Sequence, residues 1–305
     1  MENKSYIGLF ISIVSVSFAS IFIVSIQNNV PSLSIAFYRL FFTFLLILPF
    51  VILHKKTRKE LRGLSFSLLL VMGGIGLILA IHFALWITSL ELTSVASSVI
   101  LVTAHPLLVG PISHYFFKEK LSVINTLGIV LSVSGVIILV YGNYGFASGI
   151  DTLEGNILAI LGGIAAGLYI LGGRKLRKTV SVGSYAFVVY GVGTFCLFII
   201  CLIFKAPLID LSLRDFGIIF LMAVVAGIFG HTLYNWSLEH IRASFASVAL
   251  LGEPIGSSLL AFILPWIHQI PSYYTIFGGI VILTGIYLTA RKTKEFESFK
   301  KLSKI

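Results

Sequence analysis

The stretch Ala243–Ile267, ASFASVALLGEPIGSSLLAFILPWI, decides how the chain is read. It is long and apolar enough to cross a bilayer, yet Glu253-Pro254 sets a carboxylate and a helix breaker near its middle. A run of about 20 apolar residues spans the hydrocarbon as a helix. An ionisable side chain at the centre of such a helix costs about 2.5–3.5 kcal/mol on insertion scales. One other stretch has the same design: Ser94–Phe117, with His105-Pro106 148 residues before Glu253-Pro254. Costly groups at matching places in two halves point to a transport site at a repeat interface.

The rest of the chain agrees. Of 305 residues, 57% are hydrophobic and 11% charged, with a mean hydropathy of +1.02; globular domains carry about 25% charged residues. Ten apolar segments follow one another, at about 6–26, 33–53, 64–88, 94–117, 122–141, 154–173, 184–204, 215–237, 243–267 and 272–290. The expected fold class is an all-α membrane protein with ten transmembrane helices. Alternating short strands are absent, which argues against a barrel. The connections are too short for a soluble domain. No cleavable signal peptide is expected, because no small-residue cleavage site follows the first segment. Cys196 and Cys201 share the seventh segment and read as packing residues.

Charge placement sets the orientation. Of 22 Lys and Arg, 19 fall in the N-terminus, the even-numbered connections and the tail. Lys205 and Arg214 alone lie in the odd-numbered connections, and Arg39 alone lies inside a span. By the positive-inside rule both termini are expected in the cytoplasm of a multi-pass protein of the cell (plasma or inner) membrane. The net charge of +10 is then a matter of lipid rather than nucleic acid. The basic tail (Arg291, Lys292, Lys294, Lys300, Lys301, Lys304) reads as an anchor at anionic lipid.

The two halves align. A shift of 148 places Ser89-Leu90-Glu91 on Ser237-Leu238-Glu239 and Pro106 on Pro254. A shift of 150 places Gly128 and Gly135 on Gly278 and Gly285. The expected units are a five-helix repeat over 1–145, a second over 150–292 and a basic cytoplasmic tail over 293–305. Five helices is an odd number, so the repeats are inverted and enclose a central cavity. Counted from their starts at about 1.5 Å per residue, Glu253 and His105 reach the midplane from opposite faces.

These residues carry a resemblance. Leu90-Glu91-Leu92-Thr93-Ser94-Val95-Ala96 with Pro106, then Phe117-Lys118-Glu119-Lys120-Leu121, Gly128 and Gly135, resemble an EamA-type member of the drug/metabolite transporter superfamily. Arg39 fits, and Leu238-Glu239, Ala243-Ser244, Pro254 and Gly278 repeat the pattern. The resemblance implies a ten-helix bundle, alternating access, and export or exchange of small metabolites such as amino acids, amines or purines. Glu119 departs from the symmetry, because His268-Gln269-Ile270-Pro271 stands at its counterpart. It is therefore not expected to be one of a symmetric pair of substrate ligands.

Each candidate has two readings. Glu253 either binds a substrate amine or a proton, or is a protonated acid bonded to a neighbouring helix. Pro254 and Pro106 loosen their helices and free carbonyls for ligands. His105 is a proton relay or carboxylate ligand, or a neutral bridge between helices. Arg39 binds an anion or pairs with Glu91 in an outer gate, or snorkels to the interface. His82 and His231, one residue out of register, either line a vestibule or pack. Trp86, Tyr234, Asn235 and Trp236 form an interface belt or an aromatic platform for a cation. Tyr169 and Tyr190 offer hydroxyls to the cavity or pack. Gly163, Gly167 and the glycines of helices five and ten read as close-packing sites.

No catalytic set, metal site or cofactor is expected: there is no phosphate loop, no histidine pair spaced for a metal and no nucleophile elbow. The expectation is a secondary transporter of a small organic metabolite, an amino acid, amine or related compound, with proton coupling as a weaker claim. The rivals are an exchanger of anionic, phosphorylated metabolites and, further off, an intramembrane enzyme. Expected partners are the small-molecule substrate and membrane lipid, not nucleic acid. The glycine faces leave packing within or between subunits open, so a homo-oligomer stays among the expectations.

Overall fold

A computed structural model describes residues 2–26, 29–93, 95–144, 152–209, 211–264 and 270–291. The 293–305 tail, with Lys294, Lys300, Lys301 and Lys304, lies outside the described residues, as does Lys292. Ten helical spans are long and apolar enough to cross a membrane, and no strand occurs among the described residues. The protein is an all-α, ten-span membrane protein. The first half consists of α1 (Glu2–Ile26), α2 (Ser32–Leu53), a short α3 (Lys55–Gly63), α4 (Phe66–Leu92), the broken span α5 (Val95–Thr103) and α6 (Pro106–Phe116), and α7 (Val123–Tyr144). The second half begins with α8 (Leu153–Leu176) and α9 (Val182–Ile203). Its eighth span runs through α10 (Leu213–Met222), a π-helical segment (Ala223–Thr232) and α11 (Leu233–Ser237). The ninth runs through α12 (Ala243–Ala249), a 3₁₀ turn (Leu250–Gly252) and α13 (Glu253–Ile263), and α14 (Tyr273–Ala290) closes the bundle.

Both proline spans break where the sequence places their ionisable groups. His105 caps α6, whose first residue is Pro106. Glu253 and Pro254 open α13. Proline suits the first turn of a helix, where its missing N–H leaves no bond unmade, and interrupts the helix before it. Elsewhere Thr152, Ser181, Ser212 and Ser272 cap their helices by accepting a backbone N–H three residues on. Two features depart from the expectation. The eighth span contains the π segment, and the connection after the second span is the charged helix α3.

The packing is two-fold in pattern. α4 lies along α8, and its counterpart, the span from α10 to α11, lies along α1. α2 packs on α9, and α7 packs on α14 over most of its length. This last seam is built on the glycines that the 150-residue shift pairs. A Cβ on Gly135 would stand 2.7 Å from the Ile282 nitrogen and 2.9 Å from the Gly278 carbonyl. One on Gly278 would stand 2.7 Å from the Gly135 carbonyl, and one on Gly128 the same distance from the Gly285 carbonyl. Small residues let helix backbones approach closely where lipid gives no hydrophobic drive to associate. Apolar side chains such as Phe10, Leu153 and Tyr273 face outward, as a lipid-facing rim requires.

Two of the three nearest obstacles around Gly135, the Ile282 nitrogen and the Gly278 carbonyl, are backbone atoms that cannot swing aside. Gly135→Ala is expected to lower stability by about 1–3 kcal/mol through overpacking. Gly74→Ala, where no atom lies within 4 Å, is expected to be neutral. Equilibrium unfolding in detergent micelles checks the pair.

Candidate functional site

Arg39 lies seven residues into α2 and is only 2% exposed. It does not snorkel. Its Nη2 donates to His231 Nε2 at 3.1 Å, and its guanidinium lies 4.6 Å from the centre of the Phe83 ring. Because a guanidinium has no acceptor, His231 presents its lone pair at Nε2 and carries its proton on Nδ1. Arg39 Nη1 is buried without a partner among the described residues. Glu253 is within electrostatic reach of Arg39, and its main-chain carbonyl accepts from Ser17 Oγ on α1 at 3.3 Å.

His231 sits in the π segment, one residue before its end. The Thr232 hydroxyl donates to the Gly227 carbonyl five residues back at 3.1 Å and meets the Tyr190 hydroxyl at 3.3 Å. π segments of this kind recur at functional sites. Asn235, fully buried, gathers the neighbours: its Nδ2 donates to the His231 carbonyl at 2.7 Å, to Tyr190 at 3.3 Å and to Tyr169. Arg39, Thr43, Phe83, Tyr190, Gly227 and His231 line a small central cavity of about 10 Å³, close to the least that holds one water. The cluster thus joins α2, α4, α8 and α9 to the eighth span.

The histidines of the first half stand beside it. His82 Nδ1 is 2.9 Å from the Gly162 carbonyl, and its ring stacks on Trp86 at 5.7 Å. His105 is 9% exposed, interacts electrostatically with His82, and its Nδ1 has no partner among the described residues. His82 and His231, though out of register in sequence, both reach Phe83. Tyr234 is buried in the apolar core. Trp236 packs against Gly8 of α1, where a Cβ would stand 2.8 Å from its ring. Asn235 therefore belongs to the buried cluster and not to an interface belt. Thr43, Phe83, Gly227 and Thr232 belong to the site and have no marked signal in the sequence. Among the described residues no three His, Cys, Asp or Glu side chains gather as a metal site.

Two expectations about charge need correction. Glu91 does not pair with Arg39: it caps α2, accepting from the Ser32 nitrogen at 2.9 Å and its hydroxyl at 2.6 Å. Arg39 is also not the sole buried arginine, because Arg174 and Arg177 are buried at the basic end of the bundle. Arg174 Nε meets Glu119 Oε1 at 2.7 Å, and its Nη1 donates to the carbonyls of Leu238 and Glu239. Glu119 Oε2 accepts the Ala243 N–H at 2.8 Å, capping α12. Arg177 Nη2 reaches Glu239 Oε2 at 2.7 Å. Glu119 is thus a structural tie between the repeats.

With this geometry in view, the comparisons with known proteins are direct. The chain matches the EamA-like transporter family twice, over residues 3–141 and 153–291. It belongs to that family. An uncharacterized transporter of Archaeoglobus fulgidus is 24% identical, with 96% of this chain and 99% of the relative covered. The uncharacterized transporter YdfC of Bacillus subtilis is 21% identical, with 86% and 82% covered. A solved crystal structure shares the fold with a TM-score of 0.77 at 16% identity, covering 94% of this chain and 96% of the other. This EamA-like protein is a transporter and not an enzyme.

The Glu119–Arg174 pair has side chains only 7% and 10% exposed. Removing one member of such a pair strands the other charge and costs about 3–5 kcal/mol. Glu119→Ala is expected to lose stability in that range, and Glu119→Gln less, because the amide still accepts the Ala243 N–H. Unfolding midpoints of the two variants in detergent give the comparison.

Proposed function

We propose that this EamA-like transporter moves small organic metabolites carrying an amine, or an amine and a carboxylate, out of the cell or in exchange. The observation that carries this reading is the pair Arg39 and Glu253, opposite charges on spans of different repeats and within electrostatic reach of each other. Arg39 receives the anionic group through Nη1, and Glu253, at the start of a broken helix, receives the cation or a proton. His105, at the pseudo-symmetric break, is the second switchable group, with His82 beside it. Tyr169, Tyr190 and Asn235 supply polar contacts to the substrate body.

The two five-helix units, 1–145 and 150–292, rock against each other about this site and expose it alternately to either side. The protein sits in the cell membrane with both ends in the cytoplasm, which places the basic end inside. A purely anionic, phosphorylated substrate is the second reading. Arg39 with its unpartnered Nη1 favours it, and Glu253 opposes it.

Transport into liposomes with a metabolite panel at two pH values tests the proposal. Glu253→Gln is expected to lower flux of amine-bearing substrates at least tenfold, about 1.4 kcal/mol or more, and to flatten the pH dependence. Arg39→Gln is expected to raise KM for carboxylate-bearing substrates. Unchanged flux and pH profile in Glu253→Gln would remove Glu253 from the site, and flux of phosphorylated solutes alone would favour the second reading.

A further inference from the structure

The helix α3 has no role in the transport site, and its charges are arranged unevenly. It joins α2 through His54 and α4 through Leu64 and Ser65, so it cannot leave the membrane boundary. Of its nine residues, KKTRKELRG, five are basic and one is acidic. Thr57 alone is buried, against Gly183 of α9, where a Cβ would stand 3.3 Å from its methyl. The acid turns inward as well. Glu60 Oε1 accepts the Ser181 N–H at 2.9 Å, and Oε2 accepts the hydroxyls of Ser181 and Ser184. Burial opposes ionisation of Glu60, but these serine hydrogen bonds outweigh it, with help from the Arg177 charge, and hold the carboxyl below its ordinary value.

The one negative charge of α3 is therefore committed to the first turn of α9. Lys55, Lys56, Arg58, Lys59 and Arg62 are left exposed, and none is in a salt bridge among the described residues. Exposed Leu53 and Phe66, 78% and 74% accessible, flank the helix on its two sides. Apolar anchors beside a cationic face are the makings of a helix that lies in the interface, where basic side chains attract anionic lipid.

We propose that α3 docks anionic phospholipid headgroups and, through Glu60, transmits that attachment to α9. The occupant is the membrane surface itself, because α3 is tethered to it and its charge is complementary. α9 carries Tyr190 of the central cavity, so lipid held at α3 steadies one wall of that cavity.

The test uses the full-length protein in vesicles of phosphatidylcholine with and without phosphatidylglycerol. Phosphatidylglycerol is expected to raise the thermal unfolding temperature of the wild type, and high salt to reduce the rise. K55Q/K56Q/R58Q/K59Q/R62Q is expected to lose the difference, and K55R/K56R/K59R to keep it. Glu60→Gln separates the two steps. It should retain phosphatidylglycerol adducts by native mass spectrometry while losing most of the stabilisation. If the five-fold variant is not recovered folded, K55Q/K59Q should lose part of the rise. The proposal is overturned if the wild type shows no lipid dependence, or if the glutamine variants keep it in full. An equal rise with inorganic phosphate in detergent would also overturn it, as a free-anion site.

Discussion

A guanidinium buried in the middle of an apolar bundle must find partners, and the centre of this protein is arranged by that requirement. Arg39 takes the lone pair of His231 and the face of Phe83, and Glu253 lies within its electrostatic reach. Each partner has consequences. Accepting at Nε2 fixes the proton of His231 on Nδ1. The backbone that carries His231 is π-helical, and the Gly227 carbonyl there accepts the Thr232 hydroxyl. Asn235 then binds the His231 carbonyl and holds Tyr169 and Tyr190 from two further spans. A buried polar network is stable only when its members are satisfied together. Within this one Arg39 Nη1 and Asn235 Oδ1 lack partners among the described residues, as does His105 Nδ1 beside it.

What could be read in advance depended on how far a signal reaches along the chain. Spans average over about 20 residues, so ten of them were legible from hydropathy alone. The helix breaks at His105 and Glu253 were legible because each residue is followed by a proline, and the α7–α14 seam because its glycines recur at a constant spacing. Features made by partners distant in sequence were not legible. Arg174 and Arg177 counted as ordinary cations of a basic loop, yet they are buried by Glu119 and Glu239, 55 and 62 residues away. Glu91 looked like a partner for Arg39 and instead caps α2 at Ser32, 59 residues off. The run KKTRKELRG read as a loop, and its helix is pinned to α9 through its own Glu60 and Thr57. The π segment left no mark in AVVAGIFGHT, whose glycines pack on Val16 of α1 and Thr43 of α2.

The two ends of the bundle are closed by different chemistry. At the basic end, side-chain charges do the work: Glu119, Arg174, Arg177 and Glu239 bind across the ends of α8, α11 and α12. At the opposite end, Glu91 of α4 holds Ser32 of α2, and the contacts between α4 and α8 are short-range and neutral. The Thr152 nitrogen and hydroxyl both bind the Leu92 carbonyl, Thr93 binds Asn156, and a Cβ on Gly155 would stand 2.7 Å from Thr93. The sequence repeat therefore does not extend to the locks. The Glu119–Arg174 pair is shielded from water and little screened by salt, whereas the α4–α8 contacts of the other end rest on neutral hydrogen bonds and close backbone packing.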